Sequence, residues 1–224
     1  MNLCRASSLE LRNQIVNLLQ KLKIRATNLL DLGCGDGSFS REIGKVVGAT
    51  RIVGIDIETP PHSEYIEFLK FDLNNEGIPL PDNSFDLVTA IEVIEHLMYP
   101  DNMLREAWRL LKSKGYFIIS TPNLASIINR MLILMGYMPY FSEPSLKYNA
   151  GLLTRKKIVD KPAGHLRLYT LKAIKELLYF YGFKVRACHG LTAGFSNRFL
   201  RIIERIFKSF PSLSTIIVVV AQKP

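Results

Sequence analysis

Three glycines at alternate positions, Gly33, Gly35 and Gly37, follow the apolar run 29–32 and its carboxylate Asp31. Glycine lets the main chain turn sharply and lets a ligand lie against bare backbone. The residues after them, 38–47, predict a helix whose first N–H groups have no intrahelical partner. A strand, a glycine turn and a helix start in that order make a mononucleotide cradle. Asp56 stands 21 residues beyond Gly35, the reach at which a strand-end carboxylate accepts hydrogen bonds from ribose hydroxyls. Asp72, followed by Leu73, places a second carboxylate at the next strand end, where an adenine amino group could be read.

Two other groups offer proton chemistry. Glu92-Val93-Ile94-Glu95-His96 supplies two carboxylates and an imidazole. They could face a reacting centre or hold a divalent cation with oxygen and nitrogen ligands, and Glu92 and Glu95 would share a face if a helical turn starts there. We assign no metal. His165, Arg167 and Tyr169 alternate, so an extended chain would direct all three to one side. His165 would act as a general base on a hydroxyl, and Arg167 would clamp an anionic group. Cys34 lies inside the glycine turn, with no histidine close behind to activate it, and reads as a small residue that fits there.

The positioning elements follow from short apolar runs alternating with helical periods. Strands are expected at 27–32, 51–56, 66–72, 85–91, 116–121, 182–189 and 215–222. Helices are expected at 7–23, 38–47, 101–111, 124–135, 171–181 and 196–210. Such alternation means a mostly parallel sheet covered on both faces, with its ligand outside the carboxyl ends of the strands. Asp31, Asp56, Asp72, Ile91 and Glu92 all fall near that edge.

Length and charge narrow the class. A chain of 224 residues with 48% apolar and 22% charged residues suits one large globular domain. No apolar run approaches the roughly 20 residues needed to span a bilayer, and residues 1–20 lack the continuous core of a signal peptide. Three scattered cysteines suggest reduced thiols and a cytoplasmic location. Residues 1–150 hold fifteen basic and seventeen acidic side chains, whereas residues 151–224 hold fourteen and three. A basic C-terminal third attracts phosphate, an anionic lipid surface or nucleic acid, or is simply a solvated lysine-rich surface.

Five motifs occur in order: Asp31-Leu-Gly-Cys-Gly-Asp-Gly37, Gly54-Ile-Asp56, Phe71-Asp-Leu73, Phe85-Asp-Leu-Val88 and Leu110-Leu-Lys-Ser-Lys-Gly115. Together the chain resembles the class I S-adenosylmethionine-dependent methyltransferases. The glycine spacing GxGxG also departs from the dinucleotide fingerprint GxGxxG, which disfavours an NAD-dependent oxidoreductase. The resemblance implies a Rossmann-like, doubly wound, seven-stranded α/β sheet, mostly parallel, with an antiparallel last strand at the sheet edge. It implies S-adenosylmethionine as cofactor and S-adenosylhomocysteine as product. Asp31, Gly33, Cys34 and Gly35 would line the methionine end, Asp56 and Ile57 the ribose and adenine, and Asp72 and Leu73 the adenine edge. The main chain of Ile91 and Glu92 would approach the amino group. The E-x-x-E-H segment is similar to one in small-molecule methyltransferases, including ubiquinone-pathway O-methyltransferases, and places His96 within reach of the transferred methyl.

Residues 124–164 are too long for a simple crossover and lie at the carboxyl edge, so we expect a helical lid. The helix at 196–210 is amphipathic and basic. It reads as a wall of the substrate site, a partner surface or a lipid-contacting element. The expected activity is methyl transfer to a small or lipid-like acceptor, at oxygen, with nucleic acid disfavoured and peripheral membrane contact compatible. A non-enzymatic RNA- or membrane-binding protein on the same fold is the other alternative to weigh beside hydride transfer.

Overall fold

The computed structural model describes residues 2–58, 66–145, 147–153 and 162–224, with side chains from residue 9 onward. Thirteen regular elements alternate along it: α1 Asn2–Leu22, β1 Asn28–Leu32, α2 Ser38–Val47, β2 Arg51–Asp56, β3 Glu67–Lys70, β4 Phe85–Ile91, α3 Pro100–Leu110, β5 Leu111–Pro122, α4 Ile127–Leu134, α5 Leu171–Phe180, β6 Lys184–Leu191, α6 Arg198–Phe207 and β7 Ile216–Gln222. The basic stretch before Pro162 in the expected lid lies outside the described residues.

The strands form one sheet in the order β3-β2-β1-β4-β5-β7-β6. Strands β1 to β5 pair in parallel, while β7 runs antiparallel to both β5 and β6. The antiparallel β7 is therefore not at the edge, as expected, but between β5 and β6. The reason is visible in the residues. All of 216–221 in β7 are buried, as a strand with neighbours on both sides requires, whereas β6 carries exposed Lys184 and Arg186 and can take the edge.

Each strand alternates its side chains between two apolar layers. Leu30, Val88, Phe117 and Val219 face α3 and α5. Leu29, Leu87, Ile118 and Val218 face α1 and α2. Burying both faces makes strand sequences that read as continuous apolar runs.

Several boundaries differ from expectation for local reasons. Helix α4 starts at Ile127 rather than at 124, because Ser126 caps it by accepting the Asn129 N–H at 3.2 Å. Ahead of that cap, buried Asn123 accepts the Ala125 N–H and donates to the carbonyls of Ser212 and Ser214, fixing a tight turn. Strand β3 covers only 67–70, and β5 begins at Leu111, where it meets Phe85 through a register irregularity. Thr170 caps α5 by accepting the Ala173 N–H, as its position before a helical period suggests.

Candidate active site

The glycine turn leaves β1 at the carboxyl edge. Gly33, Gly35 and Gly37 all have positive φ, at 74°, 57° and 74°, which only glycine adopts without strain. The Gly33 and Cys34 N–H groups donate to the Ile55 carbonyl at 2.8 and 3.0 Å, so the turn is fastened to the end of β2. Gly35 N–H donates to Asp56 Oδ2 at 2.7 Å. A Cβ at Gly35 would meet nothing within 4 Å, so open space lies in front of its main chain. A Cβ at Gly33 would lie 2.5 Å from Val93 Cγ2. That contact ties the turn to the segment after β4.

Asp31 pairs with Gly54 on β2 and Thr89 on β4. This register brings the Thr89 hydroxyl to its Oδ1 at 2.6 Å, while Ser40 from α2 donates to Oδ2 at 2.5 Å. Burial pushes the Asp31 carboxyl up to about 6, against the lowering effect of the two hydroxyls. Both oxygens are thus engaged inside the protein, and Asp31 sits beneath the turn. Burial also pushes the Cys34 thiol up to about 12, with Asp31 and Asp56 adding to it. That removes thiolate chemistry near neutral pH.

Along the same edge, Ile57 is exposed beside Asp56, Leu73 is buried, and Asp72 Oδ1 accepts from the Asn74 N–H and its Nδ2, both at 2.9 Å. Glu92 holds a left-handed φ of 57° immediately after β4. That conformation is uncommon for a non-glycine residue. Its N–H donates to Ser120 Oγ at 3.1 Å, and the Ser120 hydroxyl donates back to Glu92 Oε1 at 2.7 Å.

Residues Ile94–His96 form a single 3₁₀ turn, so Glu92 and Glu95 do not share a helical face. Glu95 is fully buried. Thr121 donates to its Oε2 at 3.0 Å, while Oε1 has no partner among the described residues. Burial raises both carboxyls, and for Glu92 the neighbouring charge of Glu95 adds to the rise. Glu95 instead groups with His96 and His165, one donor atom of each lying within 4.8 Å of the others. The spacing suits one small cation as well as proton transfer.

The two imidazoles lie 4.8 Å apart between centroids, tilted by 52° to one another. His96 Nδ1 lies 3.2 Å from the Gly164 carbonyl and His165 Nδ1 lies 2.9 Å from the Phe141 carbonyl. A carbonyl only accepts, so each ring carries a proton on Nδ1, and in its neutral form each has its lone pair on Nε2. Burial, and then the neighbouring His165, push His96 below the usual histidine range. His96 is therefore neutral at pH 7.

The expected common face of His165, Arg167 and Tyr169 does not form. His165 turns to Phe141 and His96. Arg167 is exposed and donates to the Leu97 carbonyl at 3.3 Å, and Tyr169 is buried in the core. The main chain explains the split: the Leu166 and Arg167 N–H groups both donate to the Glu95 carbonyl, which breaks the alternation of an extended strand.

Glu143 was not among the sequence candidates. Its carboxylate accepts three consecutive backbone N–H groups, from Ala163 at 2.5 Å, Gly164 at 2.7 Å and His165 at 2.9 Å. It joins the two limbs of the 124–164 insertion directly behind His165. No local pattern marks it, because its partners are 20 to 22 residues away.

Residues 7–187 match the family model for the methyltransferase domain. The chain belongs to the methyltransferase domain family. Among curated relatives it is 29% identical over 172 residues to the mitochondrial ubiquinone biosynthesis O-methyltransferase of Saccharomyces cerevisiae, covering 68% of this chain and 53% of that protein. It is 33% identical over 114 residues to an S-adenosylmethionine-dependent methyltransferase of Mycobacterium tuberculosis, covering 50% and 42%. The chain spans about half the length of these relatives. A protein solved in complex with the Haloferax volcanii Trm112 methyltransferase activator superposes with a TM-score of 0.64 at 16% identity, covering 99% of this chain and 94% of that one. That likeness concerns the fold, which is Rossmann-like.

The cofactor of a methyltransferase domain is S-adenosylmethionine, with S-adenosylhomocysteine as product, and the family decides against NAD. The residues fit it. The open space over Gly35, the carboxylate of Asp56 and the exposed Ile57 lie together, where a nucleoside would meet main chain, acceptor and apolar surface.

Proposed function

We propose that this methyltransferase domain moves a methyl group from S-adenosylmethionine to a hydroxyl oxygen of a small or lipid-like acceptor. One observation carries the oxygen assignment: two adjoining imidazoles, each engaged through Nδ1 by a backbone carbonyl, beside a buried carboxyl at the edge that holds the glycine turn. When bound, the cofactor supplies an electrophilic methyl carbon. The protein's share is then alignment, exclusion of water and removal of the acceptor's proton.

Asp56 would accept from the ribose hydroxyls, Ile57 would pack on the adenine, and Asp72 and Leu73 would face its edge. The main chain at Ile91 and Glu92 would approach the amino group, and Asp31, Gly33, Cys34 and Gly35 would shape the methionine end. His165 Nε2 takes the acceptor's hydroxyl proton. Neutral His96 orients that ring without competing as a cation. Arg167 draws an anionic substituent of the acceptor toward the mouth of the site. The described part of the 124–164 insertion forms the lid, where Phe141 and Tyr140 pack on Phe195 at 6.5 and 4.8 Å. That aromatic wall supports an apolar acceptor. The named activity of the yeast relative, O-methylation in ubiquinone biosynthesis, supports the same class. We place the protein in the cytoplasm with peripheral membrane contact; among the described residues no helix is long and apolar enough to cross a membrane.

The test is a transfer assay with methyl-labelled S-adenosylmethionine and catechols with and without an isoprenoid tail, with products identified by mass spectrometry. A methyl ether, formed faster on the tailed catechol, is expected. Methylation at ring carbon, or no product from any hydroxyl acceptor although the cofactor binds, would overturn the reading.

A further inference from the structure

Helix α6 has an unusual distribution of exposed side chains. Phe199, Ile202 and Ile206 recur at helical spacing and are exposed, with Phe199 at 68%, and Phe210, just beyond the helix, is exposed as well. Beside them run Arg198, Arg201, Arg205 and Lys208, also exposed. The helix's one acid, Glu204, is turned inward and buried, where it accepts the N–H groups of Ala193 and Phe195 at 2.7 and 3.2 Å. That tie fixes which way the helix faces. No salt bridge engages the four basic residues among the described residues.

Helix α4 contacts α6 and adds to this surface. It buries Ile128, Asn129 and Leu132 and exposes Leu134, at 87%, together with Met135. Arg130 is its only charged residue, and it is also exposed. Half of the large apolar residues that the described chain leaves exposed fall within 131–137 and 199–210. Soluble monomers rarely expose so much contiguous apolar surface without a use for it. An apolar strip bordered by uncompensated arginines matches the bilayer interface, where acyl chains take the apolar side chains and anionic headgroups take the cations. Both helices begin beyond the carboxyl end of a strand parallel to β1, the end that carries the site.

We propose that α4 and α6 together form a docking face for an anionic lipid bilayer. Adsorption through this face sets the lid at the membrane surface, where a lipid-like acceptor would enter without crossing water. The docking argument rests on the helices alone; only its use in substrate delivery rests on the proposed acceptor.

The experiment is vesicle co-sedimentation of the full chain, using phosphatidylcholine vesicles with and without 30 mole per cent phosphatidylglycerol, taken as roughly the anionic fraction at which polybasic segments bind. Binding to the anionic vesicles should exceed binding to the neutral ones by about tenfold or more and fall with added salt. Phe199→Glu/Ile206→Glu should lose at least tenfold of it, and Arg198→Gln/Arg205→Gln should lose the preference for anionic lipid. Calorimetric binding of S-adenosylmethionine should be unchanged in both, which shows that they are folded. It also separates this proposal from the catalytic reading, because docking can fail while cofactor binding and methyl transfer persist. Equal sedimentation with both vesicle types, no sedimentation, or undiminished binding by the folded Glu variant would overturn the proposal. So would a dimer in size-exclusion chromatography that the Glu substitutions convert to monomer, since the face would then belong to a second copy.

Discussion

The proposed cofactor side and the proposed acceptor side of this site are held in place by different means. On the proposed cofactor side the ties run through the sheet and the helix packed on it: two glycine-turn N–H groups on the Ile55 carbonyl, Gly35 on Asp56, and Asp31 locked by Ser40 of α2 and Thr89 of β4. On the proposed acceptor side a single carboxylate, Glu143, gathers three N–H groups, and two imidazoles lean on carbonyls of segments distant from their own, His96 on Gly164 and His165 on Phe141. The first arrangement is a fixed seat and the second a cover assembled from distant pieces. Damage to the cover should therefore spare cofactor affinity, while damage to the seat should not.

The strongest test of that separation is His165→Ala. Removing a general base costs roughly 10²- to 10⁴-fold in rate. We expect kcat to fall by that much, with S-adenosylmethionine affinity by calorimetry within about twofold of wild type. A parallel loss of cofactor affinity would mean that the two sides are not independent.

Next in size is a pH effect on the seat. Burial holds the Asp31 carboxyl at about 6, against an ordinary 3.8. Between those values the native state keeps a proton that the unfolded chain has released. Stability from this group therefore falls as pH rises through that window, and is flat above it. The difference between 3.8 and about 6 corresponds to about 3 kcal/mol. Asp31→Asn cannot ionise. Urea unfolding at pH 4, 5, 6 and 7.5 should show the variant gaining on wild type by about that amount across the series. A difference that stays constant with pH would refute the buried-charge account.

Asp56→Ala comes third. It removes the acceptor of the Gly35 N–H and the carboxylate proposed for the ribose. Hydrogen bonds to charged groups contribute about 1.5–3 kcal/mol each. Cofactor affinity should weaken at least tenfold, while the protein without ligand should lose at most about 1 kcal/mol, because the exposed Gly35 N–H can turn to water. Unchanged affinity would move the ribose elsewhere.

The same contrast explains what could be read from the chain. The glycine turn, Asp56 and strands β2 and β4 were legible because each is a local pattern of consecutive residues. The burial of Asp31 under two hydroxyls was not, because Ser40 and Thr89 reach it only through the packing of α2 and the pairing of β4. The place of β7 was misjudged although its unbroken run Ile216–Ala221 already spoke for an interior strand. The alternation of His165, Arg167 and Tyr169 pointed to a common face. It failed because the carbonyl of Glu95, 71 and 72 residues earlier, captures the Leu166 and Arg167 N–H groups of that segment. Contacts across such distances leave no periodic trace.

Glu143 offers the smallest effect and the sharpest probe of the cover. As a carboxylate it accepts on both oxygens, one from Ala163 and the other from Gly164 and His165. Glu143→Gln keeps the shape but turns one acceptor into a donor that faces a donor, leaving at least one N–H unanswered. Because Glu143 is partly exposed, water can relieve that N–H, and the loss of stability should be at most about 1 kcal/mol. The His165 ring, however, loses part of the support that aims it. A misplaced base costs rate rather than affinity, so kcat should fall about tenfold while KM for the cofactor stays put. Since Glu143 touches neither proposed ligand, a structural role alone would lower the melting temperature and leave kcat intact below it. The two explanations predict opposite patterns in one pair of measurements, made on the same sample.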